Sequence, residues 1–513
     1  MLQVENDCRQ IMNPLRLLIR ADATVAMGMG HVMRCLALAQ ACQDAGGSAV
    51  FAMAQATPAA EERICAERMA VVRLDAVPGT SEDASLLADA ARCEQAEWVV
   101  VDGYQFGSEY QRRLKQAGLK VLFLDDYGHA ESYCADLVLN QGLDSEEGLY
   151  ANRELGTRLL LGSRYAMLRR EFVSWRDWER EIVPTAKKVL VTIGGSDPDN
   201  VTALILQALG LATVDDFEVT VVVGGSNPHI KAVQRSSSWF PGTLRILQSV
   251  GNMADLMAWA DLAVSAAGTT SWEMFFLGLP AILIPVAENQ RPASRRFREI
   301  GAARAIEPGG PAFVEELANA VSELLQSNSE RARLSSVARK LVDGYGTVRI
   351  LQAMGCPVAY QLTSTVSTVP VESRDRKEFL NMAERHFREL SPEFTRQEDW
   401  VQTYLANILA NRDASLCWIM IAGERAGFIL FGIENHRFLP RKTGMIYEVY
   451  VAPAYRRKRI AATCARWAIR ELGALFPSKI QLEVTVGNTG AAKLWESLGF
   501  RKVTDRYVLD ESK

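Results

Sequence analysis

The sequence alternates short apolar runs with helical runs, and the alternation starts afresh near residue 188. A continuous apolar run is typical of a parallel strand buried on both faces of a sheet. Such runs fall at residues 15–19, 98–102, 121–125, 189–193, 217–223, 262–265 and 281–285. Between them, residues 31–45 carry apolar side chains at helical spacing. The alternation therefore predicts two tandem, doubly wound α/β domains, over residues 13–180 and 186–355.

The pattern changes after residue 372. Helical spacing is followed by three runs that resemble antiparallel strands, at residues 416–421, 426–433 and 445–451, with a turn signal at residues 423–425. The sequence after residue 451 then predicts a helix, a strand, a helix and a last strand in the tail of the chain. Residues 359–368 are rich in Ser, Thr and Val, which fits either a linker or a first strand. This part predicts a third domain of the α+β class, over residues 365–513.

Composition sets limits on the class of protein. The 513 residues correspond to about three domains. The net charge of −4 argues against a nucleic-acid partner and against binding to a membrane surface. The nine cysteines form no C-x-x-C pair, which favours reduced thiols and a cytoplasmic location. Residues 274–287 are the most apolar stretch, too short to span a bilayer, and residues 1–13 predict a disordered leader without a signal peptide.

A glycine-containing loop joins the first predicted strand to the first predicted helix. Gly28 and Gly30 permit positive φ and let a ligand approach the backbone. His31 follows in the first turn of the helix, where the helix dipole disfavours imidazolium, so we expect a neutral ring that can act as a general base. Asp22 lies in the same loop and is the expected partner that orients it. The same spacing also fits a capped helix start with no catalytic role.

Two loops of the second predicted domain carry features of a diphosphate site. In residues 194–198, Asp197 is the expected N-cap of a helix and Pro198 its first residue. Gly268, Thr269, Thr270 and Ser271 follow another strand, and their backbone and hydroxyl groups suit a diphosphate. No P-loop lysine follows, which disfavours a P-loop NTPase. Ordinary turns and caps would use the same residue types.

Further polar groups are expected in the same crevice, outside the carboxyl ends of the strands. Glu273 is placed to accept hydrogen bonds from ribose hydroxyls, and the amides of Asn289 and Gln290 suit sugar hydroxyls. The histidines have no metal-ligand spacing with Asp, Glu or Cys, so we expect no metal.

These motifs together resemble a known family. Two Rossmann-like domains, the first with a Gly-rich loop and the second with the run from Gly268 to Glu273, resemble the GT-B fold. Within that fold, the run from Arg20 to Leu36 is similar to the UDP-sugar hydrolase of pseudaminic acid synthesis, which is related to the spore-coat polysaccharide protein group. The stretches 125–126, 140–141, 161–169 and 288–290 match as well, so the resemblance covers about residues 14–350.

The resemblance implies an activity and a set of site residues. The family cleaves UDP-2,4-diacetamido-2,4,6-trideoxy-β-L-altropyranose: water attacks the anomeric carbon with inversion, and UDP leaves. His31 is then the base and Asn289 a sugar ligand. The other substrate-binding residues expected from it are Gly30, Arg34, Tyr165, Gly195, Ser196, Gly268, Thr269, Thr270, Ser271, Glu273 and Gln290.

Residues 365–510 resemble the GNAT acetyltransferase family, on the runs 447–461 and 488–500. The resemblance implies acetyl-CoA as co-substrate, with a strand that exposes amides to pantetheine and a loop of the form R-x-x-G-x-G/A around the pyrophosphate. Glu448 is then a possible base for the amine. The expected cofactor-binding residues are Val449, Val451, Arg456, Arg457, Lys458, Ile460, Ala461 and Asn488.

Two residues depart from the GNAT pattern. Arg459 stands where the family has Gly, and its side chain would either crowd the phosphates or pair with them. Trp495 stands where many members have a Tyr that protonates the leaving thiolate, and Trp cannot do so. These departures leave open a degenerate acetyltransferase that is retained as a scaffold.

The sequence therefore predicts a bifunctional enzyme of nonulosonic acid biosynthesis. Its GNAT domain would acetylate a UDP-4-amino sugar, and its GT-B region would then hydrolyse the UDP-diacetamido sugar. Joining the two activities in one chain would raise the local concentration of the intermediate. Two alternatives stay open: a GT-B glycosyltransferase with an accessory or degenerate GNAT domain, and a nucleotide-sugar binding scaffold without turnover.

Overall fold

The chain divides into two compact units, and the boundary along the chain lies between Cys356 and Pro357. The computed structural model describes residues 14–214, 216–248, 250–363, 365–390, 414–435, 442–473, 479–484 and 488–503. The predicted leader, residues 1–13, and the predicted last strand of the tail lie outside these residues. The bounds of the three predicted domains stay predictions.

The first unit begins with a parallel sheet of seven strands, in the order β3-β2-β1-β4-β5-β6-β7. Its strands are β1 Arg16–Ala21, β2 Ser48–Met53, β3 Ala70–Arg73, β4 Trp98–Asp102, β5 Lys120–Leu124, β6 Leu137–Asn140 and β7 Arg158–Leu161. The helices around it are α1 Gly30–Asp44, α2 Pro58–Ala66, α3 Ser81–Cys93, α4 Ser108–Gln116 and α5 Arg170–Val173. Every residue of β4 is buried, as expected for a strand covered on both faces.

A second parallel sheet follows in the same unit, with six strands in the order β10-β9-β8-β11-β12-β13. They are β8 Lys188–Thr192, β9 Glu218–Val223, β10 Thr243–Gln248, β11 Leu262–Ala266, β12 Ala281–Ile284 and β13 Arg304–Ala305. The helices are α6 Val201–Gly210, α7 Ile230–Arg235, α8 Met253–Trp259, α9 Thr270–Phe276, α10 Arg291–Glu299, α11 Phe313–Gln326, α12 Asn328–Arg339 and α13 Gly346–Ala353. Two doubly wound lobes in tandem confirm the predicted GT-B fold class.

Both sheets reverse their strand order at the same kind of position. The order runs outward in one direction from β1 and in the other from β4, and it does the same from β8 and β11. Ligands of open α/β sheets bind at such a switch point, beyond the carboxyl ends of the strands. The loops after β1, β4, β8 and β11 are therefore the ones that can form a site.

The helix after β8 starts later than the sequence predicts. The sequence predicts Asp197 as N-cap and Pro198 as first residue, but α6 begins at Val201, and Asn200 before it has a φ of +53°. Asp197 still caps the helix from a distance, because its carboxylate accepts hydrogen bonds from the backbone N–H groups of Val201 at 2.7 Å and Thr202 at 3.0 Å. The loop of residues 194–200 is thus longer than expected.

The last helix of the first unit returns to the first lobe. Nε1 of Trp98 in β4 donates a hydrogen bond to the carbonyl oxygen of Met354, just after α13, at 3.1 Å. The start of α13 lies against the segment that joins β7 to β8 and so connects the two lobes, since a Cβ on Gly346 would come within 2.1 Å of the Ala166 carbonyl oxygen. The two lobes are thus connected by two stretches of chain.

The second unit is a mixed sheet with the order β14-β15-β16-β17-β18-β19. Its strands are β14 Tyr360–Gln361, β15 Val366–Pro370, β16 Ala414–Ile421, β17 Glu424–Asn435, β18 Lys442–Val451 and β19 Ile480–Leu482. Its helices are α14 Arg376–Leu390, α15 Ile460–Gly473 and α16 Thr489–Ser497. All pairs are antiparallel except β18 with β19, which confirms the α+β class.

Two local predictions for this unit can be compared with the structure. Residues 359–368 contain β14 and the start of β15, so the strand alternative is right and the linker alternative is wrong. The turn before β17 lies at Ala422 and Gly423, both with positive φ, while Arg425 already belongs to the strand.

Among the described helices, none has the length and apolar character needed to cross a bilayer.

A buried ion cluster supports the end of β1. The Arg20 side chain is fully buried and bonds Asp22 at 2.6 Å and Asp83 at 3.0 Å. Burial alone would lower the pKa of this guanidinium, but the hydrogen bonds that it donates to the two carboxylates outweigh burial and raise the pKa.

We expect Asp83→Asn to destabilise the first unit by about 3 kcal/mol, because it leaves a buried guanidinium with one carboxylate fewer. Thermal and urea unfolding of the full chain measure the effect on the first unit's transition. Glu97→Gln is the matched control, since it removes an exposed partner of Lys120 and should cost less than about 1 kcal/mol. Equal effects of the two variants would contradict the prediction.

Candidate functional site

His31 lies at the carboxyl edge of the first sheet, beside the end of a neighbouring strand. It is the second residue of α1, after a loop in which Gly28 has a φ of +75°. Its Nδ1 lies 2.7 Å from Oδ1 of Asp102, the last residue of β4. Because β4 pairs with β1, the sheet brings this carboxylate to the start of α1. A carboxylate only accepts hydrogen bonds, so the pair keeps the hydrogen on Nδ1 and leaves the Nε2 lone pair for a reactant.

Asp102 is fully buried and ionised. Burial raises the pKa of a carboxyl group, but the charge of Arg34 and the hydrogen bonds that Arg34 and His31 donate outweigh burial and hold the pKa of Asp102 well below its ordinary value. Nε and Nη2 of Arg34 donate to the two carboxylate oxygens, both at 2.6 Å. The third nitrogen, Nη1, donates to Asp126 at 2.7 Å. Arg34 therefore positions two carboxylates, and its predicted contact with substrate stays a prediction.

The expectation that Asp22 orients His31 is wrong. Its Oδ1 accepts hydrogen bonds from Arg20 at 2.6 Å and from the backbone N–H groups of Ala54 at 2.9 Å and Gln55 at 3.0 Å. Asp22 thus holds the end of β1 to the loop after β2. The residue that orients His31 is Asp102, and its sequence signal was an Asp at the end of an apolar run in the adjacent strand.

Tyr104 links the His31–Asp102 pair to the second lobe. Its hydroxyl donates to Oδ2 of Asp126 at 2.7 Å and accepts from Nδ2 of Asn289 at 2.9 Å. The ring centroids of Tyr104 and His31 are 5.1 Å apart, edge to face. The structure thus brings Asn289 close to His31, as the predicted shared site requires. Tyr104 was missed from the sequence, where its only signal is that it lies two residues after Asp102.

The glycine loops of the two lobes also approach each other. A Cβ on Gly195 would lie 3.2 Å from Cγ of Met29, and a Cβ on Gly28 would lie 3.8 Å from Oγ of Ser196. Gly30, the first residue of α1, has open space where a side chain would be. The predicted loops therefore face one another at the start of α1.

The second loop predicted to bind a diphosphate lies near the same crevice. A Cβ on Gly268 would be 3.6 Å from Nε2 of Gln290, whose Oε1 accepts a hydrogen bond from the N–H of Val286 at 3.0 Å. Thr269 and Thr270 are the N-cap and first residue of α9. The hydroxyl of Ser271 is buried and has no hydrogen-bond partner among the described residues. An unpaired buried hydroxyl at this loop is available to a ligand oxygen.

Glu273 has a protein partner in addition to the ligand role predicted for it. Nε and Nη2 of Arg169 donate to its two oxygens at 2.7 Å and 2.9 Å. Each carboxylate oxygen has two lone pairs, so ribose hydroxyls can still donate to Glu273. Tyr165 lies in the 3-10 turn Ser163–Tyr165, where its ring contacts Arg164, and its predicted contact with substrate stays a prediction.

In the second unit, a cavity of about 580 Å³ lies between the end of β18, the start of α15, and α16. Five predicted cofactor residues line it, namely Val451, Arg456, Arg457, Ile460 and Ala461. Arg459 and Arg466 add two more guanidinium groups. The cavity therefore suits an anionic ligand with several charges.

Three other predicted cofactor residues, Val449, Lys458 and Asn488, are not among the lining residues. Asn488 has a structural role, because its Oδ1 accepts a hydrogen bond from the N–H of Ala491 and caps α16. Arg456 also has protein partners, since Nε donates to the carbonyl oxygen of Val451 at 2.7 Å and Nη2 to Glu389 at 2.5 Å. Phosphate binding at this cavity would thus depend more on its other arginines.

The backbone explains why the family favours glycine at position 459. Arg459 has a φ of +59° and Arg457 a φ of +64°, both in the left-handed region. Side chains with a Cβ are strained there, and glycine is not. Trp495 is 8% exposed and packs on Phe500, with ring centroids 5.5 Å apart, so it is part of the core of this unit.

Glu448, the predicted base, accepts a hydrogen bond at Oε2 from Nε2 of His386, at 2.7 Å. His386 was not recognised from the sequence as a site residue. Across the described ranges, no three His, Cys, Asp or Glu side chains are grouped so that they can hold a metal ion. The predicted absence of a metal stays a prediction.

Fold and family models together define the class: a GT-B region joined in one chain to a GNAT domain. Residues 188–343 match the glycosyltransferase family 28 C-terminal domain, and residues 378–500 match the acetyltransferase (GNAT) family.

Three relatives are similar to part of this chain. An uncharacterised protein of Methanocaldococcus jannaschii, MJ1062, is 27% identical over 54% of this chain and 57% of its own length. The spore coat polysaccharide biosynthesis protein SpsG of Bacillus subtilis is 29% identical, over 45% and 67%. The UDP-2,4-diacetamido-2,4,6-trideoxy-β-L-altropyranose hydrolase of Campylobacter jejuni is 23% identical, over 54% and 93%. The chain therefore spans little more than half of the first relative, and these matches confirm the resemblance predicted from the motifs.

We expect Arg459→Gly to stabilise the second unit by about 1 kcal/mol, because glycine adopts the left-handed backbone without strain. Thermal unfolding of the full chain measures the shift in that unit's transition. Lys458→Gly is the matched control at a neighbouring position without positive φ, where glycine should have no stabilising effect. A lower melting temperature for Arg459→Gly would show that the arginine side chain stabilises the loop by more than its backbone strain.

Proposed function

We propose that the first unit hydrolyses a UDP-linked diacetamido-trideoxy sugar to the free sugar and UDP. The observation that carries this proposal is the His31–Asp102 pair, which lies beside Tyr104 and its hydrogen bond to Asn289 of the second lobe. The Campylobacter relative, whose name states this reaction, supports the choice of substrate. Inversion at the anomeric carbon belongs to the proposal, since a single activated water attacks opposite the leaving group.

In this mechanism, Nε2 of His31 takes a proton from water as the oxygen attacks the anomeric carbon. Asp102 fixes the ring orientation and stabilises the imidazolium that forms, while Arg34 keeps the carboxylate in place. The bond between the anomeric carbon and the phosphate oxygen breaks, and UDP leaves. Asn289 would then contact the sugar, and the buried Ser271 hydroxyl and the loop at Gly195 would bind the diphosphate, which the unpaired hydroxyl and the bare backbone support.

We further propose that the second unit uses acetyl-CoA to acetylate the 4-amino group of the preceding UDP-sugar. The residues of its cavity fit this co-substrate, because Arg457, Arg459 and Arg466 line it and phosphates are its anionic part. Acetyl-CoA supplies the acetyl group, which leaves its thioester as the C–S bond breaks and CoA thiol is released. A cytoplasmic location, where both nucleotide substrates would be present, stays a prediction from the cysteines.

Transfer of the sugar to an acceptor other than water is the second candidate reaction, and the match to a glycosyltransferase family model favours it. Release of free sugar and UDP without any acceptor distinguishes hydrolysis from transfer. A binding scaffold would show neither, while still binding UDP.

For the hydrolase, we expect His31→Ala to lower UDP release by about 10²- to 10⁴-fold, because it removes the general base. UDP affinity, measured by calorimetry, should stay within twofold, since the nucleotide is held by the second lobe. Asp102→Asn should also lower turnover, because it favours the wrong tautomer of His31. Unchanged turnover in His31→Ala would show that His31 is not the general base and would overturn the proposed mechanism.

For the acetyltransferase, we expect release of CoA thiol when the protein is incubated with acetyl-CoA and UDP-2-acetamido-4-amino-2,4,6-trideoxy sugar. The matched control is the sugar with a 4-hydroxyl group, which should give background release only. Mass spectrometry of the sugar should show one added acetyl group. Equal release with amine and hydroxyl sugars would exclude this amine as the acceptor.

A further inference from the structure

A histidine and a glutamate form a pair between α14 and β18 in the second unit. Nε2 of His386 lies 2.7 Å from Oε2 of Glu448. The His386 side chain is 10% exposed and that of Glu448 is 21% exposed, so the carboxylate is the member that a substrate can reach. Oε1 of Glu448 has no hydrogen-bond partner within the described part of the chain.

Aromatic rings fix the imidazole in place. The ring centroid of His386 lies 5.2 Å from that of Phe387, 5.7 Å from that of Phe428 and 5.1 Å from that of Tyr450. Tyr450 and Glu448 are two residues apart on β18 and therefore share a face of the strand. A ring held on several sides cannot turn away from the carboxylate without repacking this cluster.

The backbone around Glu448 is irregular. Leu430 pairs with Glu448 while Phe431 pairs with Ile446, so Tyr447 is an extra residue in β18. Such a bulge turns the following side chains relative to the regular strand, and bulges often occur beside active sites. The partner strand β19 pairs with residues 444–446 only, so Glu448 lies where β18 has no described neighbour on that side.

The same open part of β18 leads to the arginine-lined cavity. Val451 lines that cavity and is three residues after Glu448, a distance of about 10 Å along the strand. A second contact joins α14 to this region, because Glu389 accepts hydrogen bonds from Arg456 at 2.5 Å and from Tyr450 at 3.3 Å. The histidine–glutamate pair thus lies on the strand that borders the proposed acetyl-CoA site.

We infer that His386 is a positioning residue for acetyl transfer and that it holds Glu448 as the base for the amine. The inference rests on the proposed acetyltransferase function. His386 donates its Nε2 hydrogen to Oε2, which directs Oε1 of Glu448 to the substrate. Oε1 takes one proton from the ammonium group, and the neutral amine attacks the thioester carbon. The C–N bond forms, the C–S bond breaks, and the second amine proton passes to the leaving thiolate.

The test compares variants with the amino sugar and acetyl-CoA, with CoA release as the measured rate. His386→Leu should lower kcat by about tenfold to a hundredfold, because a misplaced base loses its alignment. His386→Gln should retain most of the wild-type kcat, since the Gln amide can donate to Oε2 in place of Nε2. Acetyl-CoA affinity should stay within twofold in both variants. Arg388→Gln is the matched control, because it changes an exposed side chain of α14 that pairs with Glu384 and leaves the hydrogen bond in place.

Each outcome decides the inference. A wild-type kcat in His386→Leu would overturn it, and so would a loss of kcat in His386→Gln as large as in His386→Leu. Should His386→Leu unfold, as judged by circular dichroism, the comparison of His386→Gln with Glu448→Gln decides: the first must be active and the second must not. Absence of acetyl transfer by the wild type to this sugar and to a panel of other primary amines would overturn the proposed function and the inference together. Transfer without any effect of His386→Leu would overturn the inference alone.

Discussion

The site of the first unit depends on one buried carboxylate, that of Asp102. A carboxylate without solvent is costly unless hydrogen-bond donors surround it, and here Arg34 supplies two charged donors and His31 a third donor. The strand order produces this arrangement, since β1 and β4 are neighbours and both end at the same edge. The carboxylate of Asp102 thus orients the imidazole and holds the Arg34 guanidinium in place. The same guanidinium bonds Asp126, which accepts a hydrogen bond from the Tyr104 hydroxyl.

Much of the fold could be predicted from the sequence because its signals are local. The apolar run at residues 98–102 coincides with β4, and His31 lies in the first turn of α1 as expected. The orienting partner could not be predicted in the same way. Asp22 is close to His31 along the chain, whereas Asp102 is 71 residues away and close only through strand pairing. The predicted start of α6 failed for a related reason: Asp197 caps it across an additional turn of loop.

The second unit shows the same division between local and distant information. The basic loop before α15 was evident from its motif, and the structure adds that Arg457 and Arg459 adopt left-handed backbone. Glu448 was also evident, but its partner His386 is 62 residues earlier, on a helix that the sequence does not connect with β18. Side-chain partners across a sheet follow from register, and a bulge such as that at Tyr447 cannot be inferred from an apolar pattern.

The bare backbone at Gly195 has a consequence for the space between the lobes. A single methyl group there would press on the side chain and backbone nitrogen of Met29, at 3.2 Å and 3.4 Å. Behind it, a methyl group on Gly224 would come within 2.2 Å of the Gly195 carbonyl oxygen, so the loop cannot retreat to make room. Any larger residue at position 195 would push the two loops apart. The absence of a side chain there therefore determines how closely the two lobes can approach.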